Sequence, residues 1–272
     1  MTSQFNFIAI QIKENIATLQ LNRPDKMNAI NDGMRAELIT ALEAIHQDPG
    51  IKALILTGSG NSFCAGGDIA GMRERHKAPL GEVGFNGWQR QQKVHHSINL
   101  LHTLPKPTIA AVQGAAVGLG ADLALACDFV MAAESAYFIW SYAHRGLIPD
   151  GGGMYFLPRR VGLAKAKELI FSGRKINSNE AFTLGIADRQ AEDETLLEQA
   201  HTWLTELTRG SPKAIALTKS ILNQSYELSA QHIFEMGSQA QGICYATPEH
   251  QQAVQAFLNP AQPQKKSSGD HS

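Results

Sequence analysis

The sequence predicts an α/β fold with substantial parallel pairing. Two observations carry this reading. Three short apolar runs, at 51–57, 108–112 and 128–132, have the length and composition of buried strands. Stretches of helical spacing stand between them, and strands that alternate with helices build parallel sheets.

From the N-terminus, residues 5–21 read as two strands around Lys13-Glu14-Asn15. Ile8, Ile10 and Ile12 alternate before the turn, and Ile16 and Leu19 follow it. Asn22-Arg23-Pro24-Asp25 breaks the pattern. Asn31 or Asp32 caps a helix whose apolar positions Met34, Leu38, Leu42 and Ile45 recur once per turn, and Asp48-Pro49-Gly50 stops it. The strand at 51–57 leads into a loop rich in Gly and Ser at 58–67. Residues 71–90, charged and glycine-containing, read as an irregular mobile segment whose Phe85 and Trp88 line or cover a pocket. Residues 94–104 read as a helix ended by Pro105 and Pro107, with the second strand at 108–112. A small-residue loop at 114–120 opens a helix at 121–126, before the third strand. Beyond Ser211 only helical periodicity remains, interrupted at Gly237 and Pro248. The expected organisation is an α/β core over 1–210, a helical region over 211–259 and a disordered, polar, proline-bearing tail over 260–272.

Composition narrows the function. The chain has 272 residues, 43% hydrophobic and 18% charged, with a net charge of -1. That is a globular composition with no electrostatic footprint for nucleic acid or an anionic membrane. Cys64, Cys127 and Cys244 are far apart and lack metal-ligand spacing, so free thiols in a reducing compartment are expected. The polar N-terminus carries no apolar signal segment, and no apolar run approaches the ~20 residues of a membrane helix. The cytoplasm is the expected location.

The glycine-rich loops invite a nucleotide-binding reading, which fails on spacing. Gly58-Ser59-Gly60 and Gly118-Leu119-Gly120 have Phe63 and Leu123 where a dinucleotide fingerprint needs its third glycine, and no Gly-Lys-Ser/Thr completes a phosphate loop. Glycine also lets backbone N–H groups approach a ligand closely. Two such loops around an acyl carbonyl hold the negative charge that develops on its oxygen. That device suits a thioester, whose α-proton becomes removable once the enolate is stabilised.

Five strings carry a family resemblance. They are Asn22-Arg23-Pro24-Asp25-Lys26-Met27-Asn28-Ala29, Ser62-Phe63-Cys64-Ala65-Gly66-Gly67-Asp68-Ile69, Lys106-Pro107-Thr108-Ile109-Ala110-Ala111-Val112-Gln113-Gly114, Gly118 to Asp128, and Gly146-Leu147-Ile148-Pro149-Asp150-Gly151-Gly152-Gly153. In wording, order and spacing they resemble the crotonase (enoyl-CoA hydratase/isomerase) family over nearly the whole chain. The resemblance implies a core of ββα turns wound as a spiral, with a helical C-terminal trimerisation region and a homotrimer or dimer of trimers. It also implies a coenzyme A thioester as substrate, with no metal or redox cofactor. By motif position the oxyanion hole is the N–H groups of Gly67 and Leu119, leucine standing where the family usually has glycine. Lys26, Ala65, Asp68, Ile69 and Tyr142 are the implied substrate-binding positions, with Arg73 and Lys77 further candidates for the coenzyme's phosphates.

The acids bear on the reaction. The two glutamates of the family's hydratases are replaced by Asp122 and Tyr142, and a phenol with pKa near 10 cannot serve as a base at neutral pH. Asp150 stands where isomerases and ring-modifying relatives of the family carry an aspartate, and it is also placed to cap the helix that follows. Asp150 and Asp122 are therefore the catalytic candidates, with Trp140 and Tyr142 as pocket wall and His144 as a packed or hydrogen-bonded side chain. The expected activity is isomerisation of an enoyl- or dienoyl-CoA through an enolate. Hydration of a 2-enoyl-CoA and a non-catalytic acyl-CoA binding protein are the alternatives.

Overall fold

The computed structural model describes residues 5–69 and 79–259. Strands β1 (Ile8–Lys13) and β2 (Ile16–Leu21) pair antiparallel. Glu14 and Asn15 both take positive φ, 49° and 65°, the turn geometry that matches the twist of a tight hairpin. Helix α1 (Asp32–Gln47) is capped by Asn31, not Asp32: the Asn31 side chain accepts from Met34 N at 2.7 Å.

Strand β3 (Ala53–Gly58) lies beside β2, and after helix α2 (Leu80–His102) strand β4 (Thr108–Val112) lies beside β3. The chain then repeats a ββα unit. Strand β4 enters the large sheet, β5 (Ala115–Val117) enters a small one, and helix α3 (Leu119–Ala126) follows. Strands β6 (Phe129–Ala133) and β7 (Tyr137–Ile139) do the same before helix α4 (Gly153–Val161). Helix α5 (Leu163–Ser172), strand β8 (Ile176–Asn177), helix α6 (Ser178–Leu184), strand β9 (Arg189–Ala191) and helix α7 (Leu196–Leu207) complete this part. The large sheet has the order β1-β2-β3-β4-β6-β9 and is parallel from β2 onward; the small one is β5-β7-β8.

Strands β3 and β4 are buried at every residue because both sheet faces are covered. Leu54, Leu56, Ala110 and Val112 pack with Leu38 and Leu42 of α1, Leu101 of α2 and Leu123 of α3. The alternate residues Ala53, Ile55, Ile109 and Ala111 pack with Leu196, Ala200 and Trp203 of α7.

Several expectations need correction. The helix expected at 94–104 is α2, which begins at Leu80, so 80–90 is helical and not irregular; 71–78 lie outside the described residues. Gly81, Gly84 and Gly87 hide the periodicity, although a Cβ at any of them would meet nothing within 4 Å. The helix is anchored by its other half, through Val94, Ile98 and Leu101. The loop at 114–120 contains β5, which forms because β7 and Cys64 pair with it. Gly237 does not interrupt a helix: it lies inside α9 (Ala230–Tyr245), where again a Cβ would meet nothing. The break falls instead after α8 (Pro212–Leu222), and Ser229 caps the restart. Thr247 caps α10 (Pro248–Leu258), with Pro248 in its first turn.

The described residues divide into two compact units, one ending at Arg209 and the other, all helical, beginning at Gly210. The tail expected to be disordered lies outside the described residues. Among those described, no helix is long and apolar enough to cross a membrane.

Candidate active site

Leaving β3, the chain is fastened on two sides. Cys64 N donates to Ala115 O at 2.8 Å and Val117 N to Cys64 O at 2.9 Å, while Ile30 N donates to Gly66 O at 2.7 Å and Asp68 N to Ile30 O at 3.0 Å. Gly66 sits at φ +95°, with Val117 O only 2.7 Å from where a Cβ would stand. A side chain there would force the two loops apart, so glycine is required by conformation and by space. The reward is the placement of two donors. The N–H groups of Gly67 and Leu119 meet no acceptor among the described residues. Leu119 opens α3, where the first N–H groups of a helix are unpaired and the helix dipole is positive.

Both donors border a cavity of about 530 Å³. Ala65, Val117 and Gly118 line it from the same loops; Tyr142, Leu147, Ile148 and Asp150 line it from the segment before α4; Trp88, Gln91 and His95 line it from α2.

The two candidate carboxylates sit differently. Asp122 is fully buried and does not border the cavity. Its Oδ1 accepts from Trp140 Nε1 at 2.9 Å and its Oδ2 from Tyr142 Oη at 2.6 Å. Burial pushes its pKa up to about 7, opposed by those two hydrogen bonds and assisted by the nearby Asp150 charge. Burial and the adjacent Asp122 also push the Tyr142 phenol above its ordinary range, so Tyr142 is a neutral donor throughout the physiological range. Asp150 is half-buried and borders the cavity, and its carboxylate has no hydrogen-bond partner among the described residues. The expected helix cap at Asp150 is not formed: α4 starts at Gly153, and Gly152, at φ 104°, occupies the cap position with no side-chain bond. His95 Nε2 lies 3.1 Å from the Asp150 carbonyl oxygen, a contact the Nε2–H tautomer makes as a hydrogen bond.

Backbone donors that border a cavity and meet no acceptor among the described residues, with a carboxylate at the same cavity, can stabilise an oxyanion and move a proton. The family model for enoyl-CoA hydratase/isomerase matches residues 11–268. The chain belongs to the enoyl-CoA hydratase/isomerase family. It is 34% identical to 1,2-epoxyphenylacetyl-CoA isomerase of Escherichia coli K12, covering 95% of this chain and 97% of that one. It is 35% identical to crotonyl-CoA hydratase of Syntrophomonas wolfei, covering 92% and 94%. Among solved structures, an enoyl-CoA hydratase/isomerase from Cupriavidus metallidurans CH34 superposes with a TM-score of 0.87 at 34% identity, covering 94% of each chain. The fold is therefore the crotonase fold of this family.

Of the positions that the sequence singled out, Ala65, Gly67, Ile69, Leu119, Tyr142 and Asp150 meet at the cavity of this enoyl-CoA hydratase/isomerase family member. Lys26, Asp68 and Asp122 are not among its lining residues. Lys26 is exposed on the turn Pro24–Lys26, and Asp68 is paired with Arg23 at 2.8 Å. Arg73 and Lys77 lie outside the described residues. Trp88 borders the cavity as expected, while Phe85 stacks on Trp88 at 5.8 Å without bordering it. Cys64 and Cys127 are buried as expected, and burial pushes the Cys64 thiol up to about 12. Gln91 and His95 escaped sequence reasoning. Their signal was the helical spacing Trp88, Gln91, His95, which only helps once residues 80–93 are read as helix.

Proposed function

We propose that this protein isomerises the double bond of an enoyl- or dienoyl-CoA through an enolate. The observation that carries this reading is that the Asp150 carboxylate, with no hydrogen-bond partner among the described residues, borders the same cavity as the N–H groups of Gly67 and Leu119, which meet no acceptor among those residues. The thioester carbonyl oxygen accepts from those two groups. Asp150 takes a proton from the carbon next to the carbonyl, and the electron pair moves into the enolate. The same carboxyl group then returns the proton at the far end of the conjugated system, which shifts the double bond and regenerates the carboxylate. Asp122, sealed behind Tyr142 and Trp140, positions the Tyr142 wall. The proposed chemistry is proton transfer on the substrate itself and calls on no metal or redox cofactor. Exposed Phe234, Phe257 and Leu258 in the helical unit support assembly with further copies, as a homotrimer or a dimer of trimers.

Hydration of a 2-enoyl-CoA is the second reading, favoured by relatives such as the crotonyl-CoA hydratase. Two spectroscopic assays separate them. An isomerase converts 3-hexenoyl-CoA to the conjugated isomer, so absorbance rises. A hydratase removes the conjugation of crotonyl-CoA, so absorbance falls. Loss of crotonyl-CoA absorbance with no conversion of 3-hexenoyl-CoA would overturn the isomerase reading.

A further inference from the structure

Most polar side chains at the cavity are already engaged: Tyr142 with Asp122, Arg145 with Ser141 Oγ at 2.8 Å, and His95 with the Asp150 carbonyl. Gln91 is different. It borders the cavity, its Oε1 is buried with no partner, and its side chain makes no hydrogen bond among the described residues. An unpaired buried acceptor is costly, and a leucine would fill the same space without that cost. Gln91 lies three residues after Trp88 and four before His95, so all three share the α2 face that borders the cavity. As the side chain stands, Oε1 is closed off from the cavity; the terminal torsion of a glutamine is soft and roughly two-fold, so a half-turn exchanges Oε1 and Nε2.

We infer that Gln91 is a specificity-determining residue that recognises a hydroxyl group on the acyl part of the thioester. A hydroxyl fits because it can donate to Oε1 or accept from Nε2, whichever faces it. The selected substrates are thus oxygen-bearing acyl-CoAs, with the plain alkyl analogue disfavoured because it leaves the amide unpaired. This inference rests on the proposed use of the cavity for an acyl-CoA.

The test is calorimetric binding of saturated thioesters that neither reading turns over: hexanoyl-CoA against its 5- and 6-hydroxy derivatives. The expected result is that the wild-type protein prefers at least one hydroxy derivative by roughly tenfold or more. Gln91→Leu should abolish that preference and bind hexanoyl-CoA at least as tightly as the wild type does, which also shows that the variant is folded. Gln91→Met, closer in shape, should behave the same way. A wild-type protein with no preference, or a preference that survives in both variants, would overturn the role of Gln91 and leave the acyl-CoA reading intact. Failure of every thioester to bind would overturn both.

Discussion

Asp122 and Asp150 adjoin the same glycine turn, yet they occupy opposite surroundings. At Gly151 an added Cβ would lie 2.7 Å from Asp122 Oδ2, so the turn that carries Asp150 is packed directly onto the Asp122 carboxylate. On the inner side every carboxylate oxygen has a donor and no water reaches the group. On the outer side Asp150 borders the cavity together with two backbone donors that meet no acceptor among the described residues. A perturbed pKa does not by itself mark the working acid. Asp122, pushed up to about 7, does not border the cavity. A shift caused by burial marks the packing around a group, and access decides whether that group can take a substrate proton.

The contrast can be broken from either side. The largest effect is expected at the donors that share the cavity with Asp150. Leu119→Pro deletes one N–H at the first helical position, where proline is tolerated. Turnover should fall by roughly 100- to 1,000-fold with the helix content by circular dichroism unchanged. On the inner side, Asp122→Asn should lower turnover by less than about tenfold, since it removes no group at the cavity. Its main signature is pH dependence. The Asp122 pKa rises on folding from the usual 3.8 to about 7, so the native state holds this proton more tightly. The stability it contributes is complete below pH 3.8 and is lost as pH rises through about 7. Urea midpoints of the wild type should therefore decline across that window, and the decline should be shallower in Asp122→Asn.

Tyr142→Phe removes the hydroxyl that donates to Asp122 Oδ2, at a cost of about 1–2 kcal/mol in urea unfolding. Because that bond lowers the Asp122 pKa, the pH window should extend upward in this variant. The smallest effect concerns α2. Gly84→Ala should stabilise by about 0.5–1 kcal/mol, since a Cβ there meets nothing and the helix loses less backbone entropy on folding. Turnover should not change.

Sequence reasoning reached the parallel core because buried strands such as β3 and β4 are short, apolar at nearly every position and sharply bounded. Gly67 and Leu119, named by their place in the glycine strings of the family resemblance, border one cavity. Sequence reasoning missed the first half of α2, where Gly81, Gly84 and Gly87 break the apolar period, and with it Gln91 and His95. The cap that Asp150 also offered does not form, because helix starts are local signals while the positive φ at Gly152 is set by how the turn packs over Asp122 and Phe156. The placement of Asp122 behind Tyr142 and Trp140 depends on contacts 18 and 20 residues away, beyond the reach of local pattern.

The central claim is that Asp150, and not Asp122, moves the substrate proton. Solvent deuterium exchange at the α-carbon of hexanoyl-CoA tests it most directly, because it follows proton removal without requiring turnover. The account predicts that exchange catalysed by the wild type falls by about 100-fold or more in Asp150→Asn. In Asp122→Asn it should stay within about tenfold of wild type. Exchange that persists in Asp150→Asn and vanishes in Asp122→Asn would contradict the account.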